Sequence, residues 1–277
     1  MTPPRPLRDS LSSESSPRTS ALRDAGRRAL TLHTRSLPGI SPFRERQNDR
    51  RPPAIMPDVN DWEQFLDEVP WFLSPGESAA IDEPQPWTRG SVDKLPELSA
   101  LLAAATVTAV SVGSHAYELL AWGPPGARRG WLCHRPHGTG SNAVASVHAD
   151  FWKLCGGIGE RFREPVTWWM NQNEVLTIGA TALRVADLLD GYLWLWHAEG
   201  MKLPIDPDEY YVVAVEANGN LTLAARNDGR LVLFAPDHCF SGVTPLAGSP
   251  PYSLMTIDHA PDLTAWIEMC AAAWREP

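Results

Sequence analysis

Tyr210 to His238 reads YYVVAVEANGNLTLAARNDGRLVLFAPDH. β-rich apolar runs flank Asn218-Gly219 and Asp228-Gly229, dipeptides that supply positive φ at tight hairpin turns. The stretch therefore predicts three antiparallel strands in a meander. Its polar residues are largely consumed by the turns, and it contains no catalytic pattern.

Outward from the meander, helices and hairpins alternate. Asn60 or Asp61 is placed to cap a helix whose apolar face is Trp62, Phe65, Leu66 and Val69, with Pro70 ending it. A second helix is expected near residues 94–105. Residues 106–112 and 117–122 read as a hairpin about Gly113-Ser114, and 131–134 as a short third strand. Ser141 or Asn142 is expected to cap a helix burying Val144, Val147, Phe151 and Leu154, which Gly156-Gly157 stops. Residues 166–170 and 175–178 look extended. Residues 182–199 read as one broad-faced helix with Val185, Leu189, Tyr192 and Trp196 inward. Pro261 opens a last helix that buries Leu263, Trp266, Ile267, Cys270 and Trp274. Strands clustered between helices, with hairpins and few crossovers, predict an α+β fold with an antiparallel meander sheet flanked by helices. No internal repeat is visible.

Composition divides the 277-residue chain near Met56. Residues 1–55 hold 11 Arg against 5 Asp/Glu, with 8 Pro, 8 Ser and one aromatic, Phe43. Such a leader buries too little apolar surface to offset its ordering entropy and is expected to be disordered. Its apolar spacing and its acids argue against a transit peptide, and the chain has no secretory-type or membrane-spanning apolar run. Met56 is an alternative start, because a helix begins directly after it. The whole chain has 24 Lys+Arg and 33 Asp+Glu; removing the leader's 11 and 5 leaves 13 and 28, a net charge of −15 for residues 56–277. All 12 Trp lie there too. Residues 56–277 are expected to form a single acidic domain, with 56–135 an elaborated N-terminal half. Four separated Cys in apolar surroundings suggest buried thiols in a reducing cytoplasm.

Candidate chemistry is sparse. Cys133-His134 with His137 has metal-capable side chains but no second ligand pair, so an incidental surface loop is favoured over a zinc site. In Asp237-His238-Cys239, neighbours on an extended chain point to opposite faces, which disfavours a base and nucleophile pair. His148, beside an apolar helix face, reads as a partly buried structural residue. Phosphate-cradling glycine loops and nucleophile elbows are absent. The charge of −15 disfavours nucleic-acid binding by the folded part. Asn171-Gln172-Asn173-Glu174 after Trp168-Trp169 reads first as a turn, second as an amide rim around exposed Trp. Asp206-Pro207-Asp208-Glu209 is an acidic loop, solvated or part of a contact surface. Glu160 and Glu164 follow the Gly156-Gly157 turn.

HADFWKLCGGI (148–158) resembles the helix-then-Gly-Gly signature of the SUKH superfamily, which includes a fungal cell-wall assembly regulator and many bacterial immunity proteins. The meander, a following short strand and the last helix are similar to that superfamily's sheet and closing helix. The similarity covers roughly residues 144–275. One departure is Val144-Ala145-Ser146-Val147 where the family often has Leu-Pro. The resemblance implies a SUKH-like protein-binding module without catalysis or cofactor. Phe151, Trp152, Gly156, Gly157, Asn218, Gly219, Asp228 and Gly229 would be its structural signature. The expected function is an immunity protein that covers a basic, nuclease-type toxin, without metal and without membrane. Trp168, Trp169, Asn171, Asn173, Glu174, Glu160, Glu164, Asp206, Asp208 and Glu209 are the expected contacts. The alternatives are a regulatory or scaffold domain in cell-wall or signalling control, and an enzyme whose site is assembled from distant residues.

Overall fold

A computed structural model describes residues 60–138, 144–167, 172–216, 218–236 and 241–276. The leader, Met56, Ser141, Asn142, Trp168, Trp169, Met170, Asn171 and the run from Asp237 to Cys239 lie outside the described residues. Among those described, twelve strands form one antiparallel sheet. They are β1 (Ala79–Ile81), β2 (Gln85–Pro86), β3 (Thr106–Val112), β4 (His115–Trp122), β5 (Arg129–His134), β6 (Ile158–Phe162), β7 (Gln172–Val175), β8 (Tyr210–Glu216), β9 (Leu221–Ala225), β10 (Leu231–Phe234), β11 (Val243–Pro245) and β12 (Leu254–Ile257). From β3 to β10 every strand pairs with the next in sequence. β1 and β2 both pair with β3, and β12 lies between β10 and β11. The fold is α+β, and its sheet continues unbroken from the N-terminal half into the meander.

Among the described residues seven helices cover the sheet: α1 (Asp61–Glu68), α2 (Pro96–Ala103), α3 (Ser146–Leu154), α4 (Ile178–Thr181), α5 (Val185–Asp190), α6 (Trp194–Ala198) and α7 (Leu263–Arg275). Strand parity decides where they sit. On β4 and β5, Leu120, Trp122, Trp131 and Cys133 pack on a first face with α2, α3 and α7. Leu119, Ala121 and Leu132 point the other way, to α1. On β10, Leu231 and Leu233 face the first layer, while Val232 and Phe234 meet α4, α5 and α6. The strands are thus buried on both faces, which explains their near-continuous apolar runs. The second face carries two separate helical patches, α1 at one end and α4–α6 at the other.

The helix ends show how the first layer closes. Asn60 caps α1, its Oδ1 accepting from the Glu63 N–H at 2.8 Å. Asp262 caps α7, accepting from Ala265 N–H at 2.9 Å. Pro261 therefore precedes that cap instead of opening the first turn. α2 has no side-chain cap of its own. The Glu268 carboxylate on α7 accepts from the backbone N–H groups of Glu97 (2.7 Å) and Leu98 (3.1 Å). It supplies the donors' partner and a negative charge at a helix N-terminus. Replacing Glu268 with Ala should cost about 2 kcal/mol in urea unfolding, the worth of losing charge-assisted bonds at a partly buried cap. An unchanged midpoint would show that water caps α2 equally well.

Several expectations are corrected. The helix read over 182–199 is two short helices, α5 and α6, with α4 ending just before it. Around Gly191 the chain winds through i→i+3 bonds, Tyr192 N–H to Leu189 O and Leu195 N–H to Tyr192 O. This turn buries Trp196 and leaves Tyr192 and Trp194 exposed. Residues 166 and 167 are not extended, and Val166 is 85% exposed. The strand in this region is β7, which begins two residues beyond the expected 166–170 stretch, and Asn173-Glu174 belongs to it instead of to a turn. Ala145, not Ser141 or Asn142, is the residue before α3. Both meander turns are longer than two residues. Glu216 and Asn220 close the first, with Gly219 at φ 93°. Residues 226–229 form the second, where only Gly229 (φ 74°) and not Asp228 takes positive φ.

Gly156-Gly157 acts differently from a helix stop. α3 ends at Cys155 in extended conformation, before either glycine. A Cβ on Gly156 would lie 2.2 Å from the Arg135 carbonyl oxygen, and one on Gly157 would lie 2.6 Å from the Thr177 Cα. Gly157 also has φ 111°. The pair lets three backbone segments pass at contact distance.

Candidate functional site

Between α1 and α4 the second face of the central strands carries no helix among the described residues. Pairing fixes which side chains reach it, because directly paired residues share a face. Glu160 on β6 pairs with Leu132, which belongs to the second-face core. Glu174 on β7 pairs with Val215, which packs against the α4–α6 patch. His134 on β5 pairs with Tyr117 on β4, which packs against the α1 patch. Two carboxylates, a phenol and an imidazole therefore floor a strip between two helical walls.

On the α1 side the wall is the chain after Pro70. Trp71 is 67% exposed, and its indole N–H donates to Glu160 Oε1 at 3.3 Å. Phe72 meets Tyr117 edge to face at 5.6 Å, and Tyr117 lies 5.5 Å from His134. The opposite wall is the start of α4. Thr177 hydrogen-bonds Glu174 through its hydroxyl, and a Cβ on Gly179 would stand 3.1 Å from the same carboxylate. A cavity of about 260 Å³ opens beside them, lined by Ala116, His134, Arg135, His137, Gly156, Ile178 and Gly179.

The strip is acidic and partly dry. Burial raises the Glu160 carboxyl, opposed by the Trp71 N–H and Arg161 and reinforced by Glu174. Burial lowers His134, with Glu174 pulling the other way. Burial also lowers His137, offset in part by its hydrogen bond to the Gly156 backbone. The Tyr117 phenol is raised by burial and then by Glu174 and Glu77. Among the described residues, no Lys or Arg forms an ion pair with Glu160 or Glu174.

The expected contact residues divide accordingly. Glu160 and Glu174 come together on the strip, and Asn173 is exposed at the bulge beside Glu174. Glu164 is drawn away by Arg161 (2.9 Å), whose strand position faces the first layer opposite Trp131. Burial raises the Glu164 carboxyl as well. Gln172 is buried, donating from Nε2 to Glu216 at 3.3 Å. Asp206, Asp208 and Glu209 surround a 3-10 turn (Pro207–Glu209) ahead of β8. Five residue steps along β8 separate Tyr210 from Val215, about 17 Å at the usual rise, so this loop does not join the strip. Arg226 already holds it, donating from Nε to the Asp208 carbonyl at 3.2 Å. Of the candidates for chemistry, Cys133 and His134 end β5 instead of lying in a surface loop. Cys133 and Cys155 are buried free thiols, and Cys270 is a buried cysteine outside any disulfide.

His148 is fully buried rather than partly so, and it braces the strip from behind. Its Nε2 lies 3.2 Å from the Leu176 carbonyl, which can only accept, so Nε2 carries the hydrogen. Its Nδ1, 3.2 Å from the Tyr211 hydroxyl, then accepts that proton, while the Tyr211 oxygen accepts from Ala145 N–H. Trp152 donates to the same Leu176 carbonyl at 2.6 Å. Leu176 has φ 56°, a region non-glycine residues seldom adopt, and it sits between Glu174 and Thr177. The aromatic face of α3 thus fixes the backbone that presents Glu174.

Trp71, Tyr117 and His134 were not anticipated as site residues. They come from separate segments with no shared motif: Trp71 falls just past the helix-ending Pro70, and His134 drew notice only as an incidental metal-capable side chain. Comparison with family models, curated proteins and solved structures returned no match. Among the described residues, no cluster of three or more His, Cys, Asp or Glu could hold a metal ion, and no helix is long and apolar enough to cross a membrane.

Proposed function

We propose that this chain is a non-catalytic protein-binding module, acting as an immunity protein that neutralises a basic, nuclease-type toxin by covering it. The supporting observation is the uncovered strip of β6 and β7, floored by Glu160 and Glu174 and walled by exposed Trp71 and Ile178. An aromatic anchor beside unneutralised acids is the composition of a docking surface for a cationic protein. The net charge of −15 over residues 56–277 would attract such a partner over a longer range. The resemblance of residues 148–158 to the SUKH signature points the same way. A nuclease groove is basic because it binds phosphate, so an acidic partner seated in it blocks substrate without chemistry.

The test is association with the toxin encoded beside this gene, across about 50 to 500 mM salt. The Debye length shrinks from roughly 14 Å to about 4 Å over that range, so the on-rate should fall by about tenfold or more. The off-rate should change far less. An absence of binding, or an on-rate indifferent to salt, would overturn the proposal.

A further inference from the structure

The strip holds two carboxylates with which no Lys or Arg forms an ion pair among the described residues, Arg161 acting on Glu160 only through space. Glu160 is held by an indole N–H and Glu174 by a hydroxyl, neutral donors that orient the acids without cancelling their charge. They lie close enough that the Glu174 carboxylate disfavours ionisation of Glu160 in a partly desolvated setting. Beside them the Trp71 indole is pinned at its N–H while most of its surface stays open. The adjoining cavity is different: Arg135 lines it, which makes it less suited to a cation than the strip.

Resting on the docking reading above, we propose that the strip seats an arginine side chain of the partner, stacked on Trp71 with its guanidinium directed to Glu160 and Glu174. Arginine suits this surface better than lysine on three counts. Its planar fork donates to carboxylates in pairs, it stacks on an indole face, and it is less strongly hydrated than an ammonium. The indole supplies a rigid apolar platform, and the acids supply the charge. Neither would hold a cation well alone. Together they form an anchor pocket of the type that dominates an interface.

The test uses the full chain and the peptide acetyl-Gly-Arg-Gly-amide, against the same peptides carrying citrulline or lysine. The readout is the Trp71 indole N–H resonance, assigned by its loss in Trp71→Phe. The arginine peptide should shift this resonance with millimolar affinity, as suits a single side chain. Citrulline, isosteric but uncharged, should bind at least about tenfold more weakly, and lysine should fall between them. The double variant Glu160→Gln, Glu174→Gln should weaken the arginine peptide by about tenfold or more. Equal shifts from arginine and citrulline on the unaltered chain, or none at all, would overturn the inference without relying on any variant. If the toxin binds with a salt-dependent on-rate yet arginine leaves Trp71 unmoved, the anchor is wrong and the docking reading stands. If arginine binds and no toxin does, the anchor stands alone.

Discussion

Gly157→Ala should destabilise the protein by about 4 kcal/mol, measured as the shift in urea midpoint at constant slope. Two independent terms contribute. At φ 111° an L side chain is strained, a cost of about 1–3 kcal/mol. The new Cβ would also meet the Thr177 Cα at 2.6 Å and the Leu176 carbonyl oxygen at 2.7 Å. Both are backbone atoms, so no rotamer change relieves the clash, and overpacking adds about 1–3 kcal/mol. The displaced segment is the one presenting Glu174, so the stable fraction of the variant should also lose arginine binding. Unchanged stability with lost binding would instead make Gly157 a contact residue and refute its structural assignment.

Acidification should withdraw about 3 kcal/mol through His148 alone. In the unfolded chain this imidazole takes a proton near pH 6.5, whereas burial lowers it to about 4 in the folded one, only partly opposed by its bond to Leu176. The folded state therefore forgoes a proton between those values, so stability is complete above pH 6.5 and declines until about pH 4. A shift of this size at 1.36 kcal/mol per unit gives the figure. Burial is the main cause, and protonating Nδ1 would also deprive the Tyr211 hydroxyl hydrogen of its acceptor. His134 and His137 shift in the same sense, while the raised carboxyls of Glu160 and Glu164 act oppositely at lower pH. Comparison with His148→Gln separates the contribution. The variant's stability should fall less steeply between pH 6.5 and 4, and parallel profiles would show that His148 is not the group responsible.

The parts of the fold legible in the sequence are those whose signals are local. In β8 to β10 the turn glycines and apolar runs coincide, and in α7 the apolar positions fall on one face behind Asp262. β6 and β7 escaped for the opposite reason. Glu160, Arg161, Asn173 and Glu174 have no strand propensity to speak of, and they are extended because β5 and β8 offer them unpaired edges. The stretch from Ala182 to Glu199 keeps helical spacing throughout, yet the need to bury Trp196 under β9 and β10 bends it at Gly191. The strip was half visible. Glu160 and Glu174 were singled out for their charge, but nothing local joins them to Trp71, Tyr117 or His134. Only the sheet order does that.

The first layer has a temporal consequence. Trp274 from α7 packs edge to face on Trp122 at 5.5 Å and on Trp131 at 5.7 Å. Its backbone carbonyl also accepts from the Trp122 indole at 3.1 Å. At bacterial or eukaryotic elongation rates the chain from Trp131 to Trp274 takes on the order of ten seconds to synthesise. Throughout that interval the nascent β4–β5 hairpin presents two bare indoles, and α2 lacks the carboxylate that caps it. The N-terminal half should therefore be prone to chaperone binding during synthesis, because its first layer is complete only once the final helix is made.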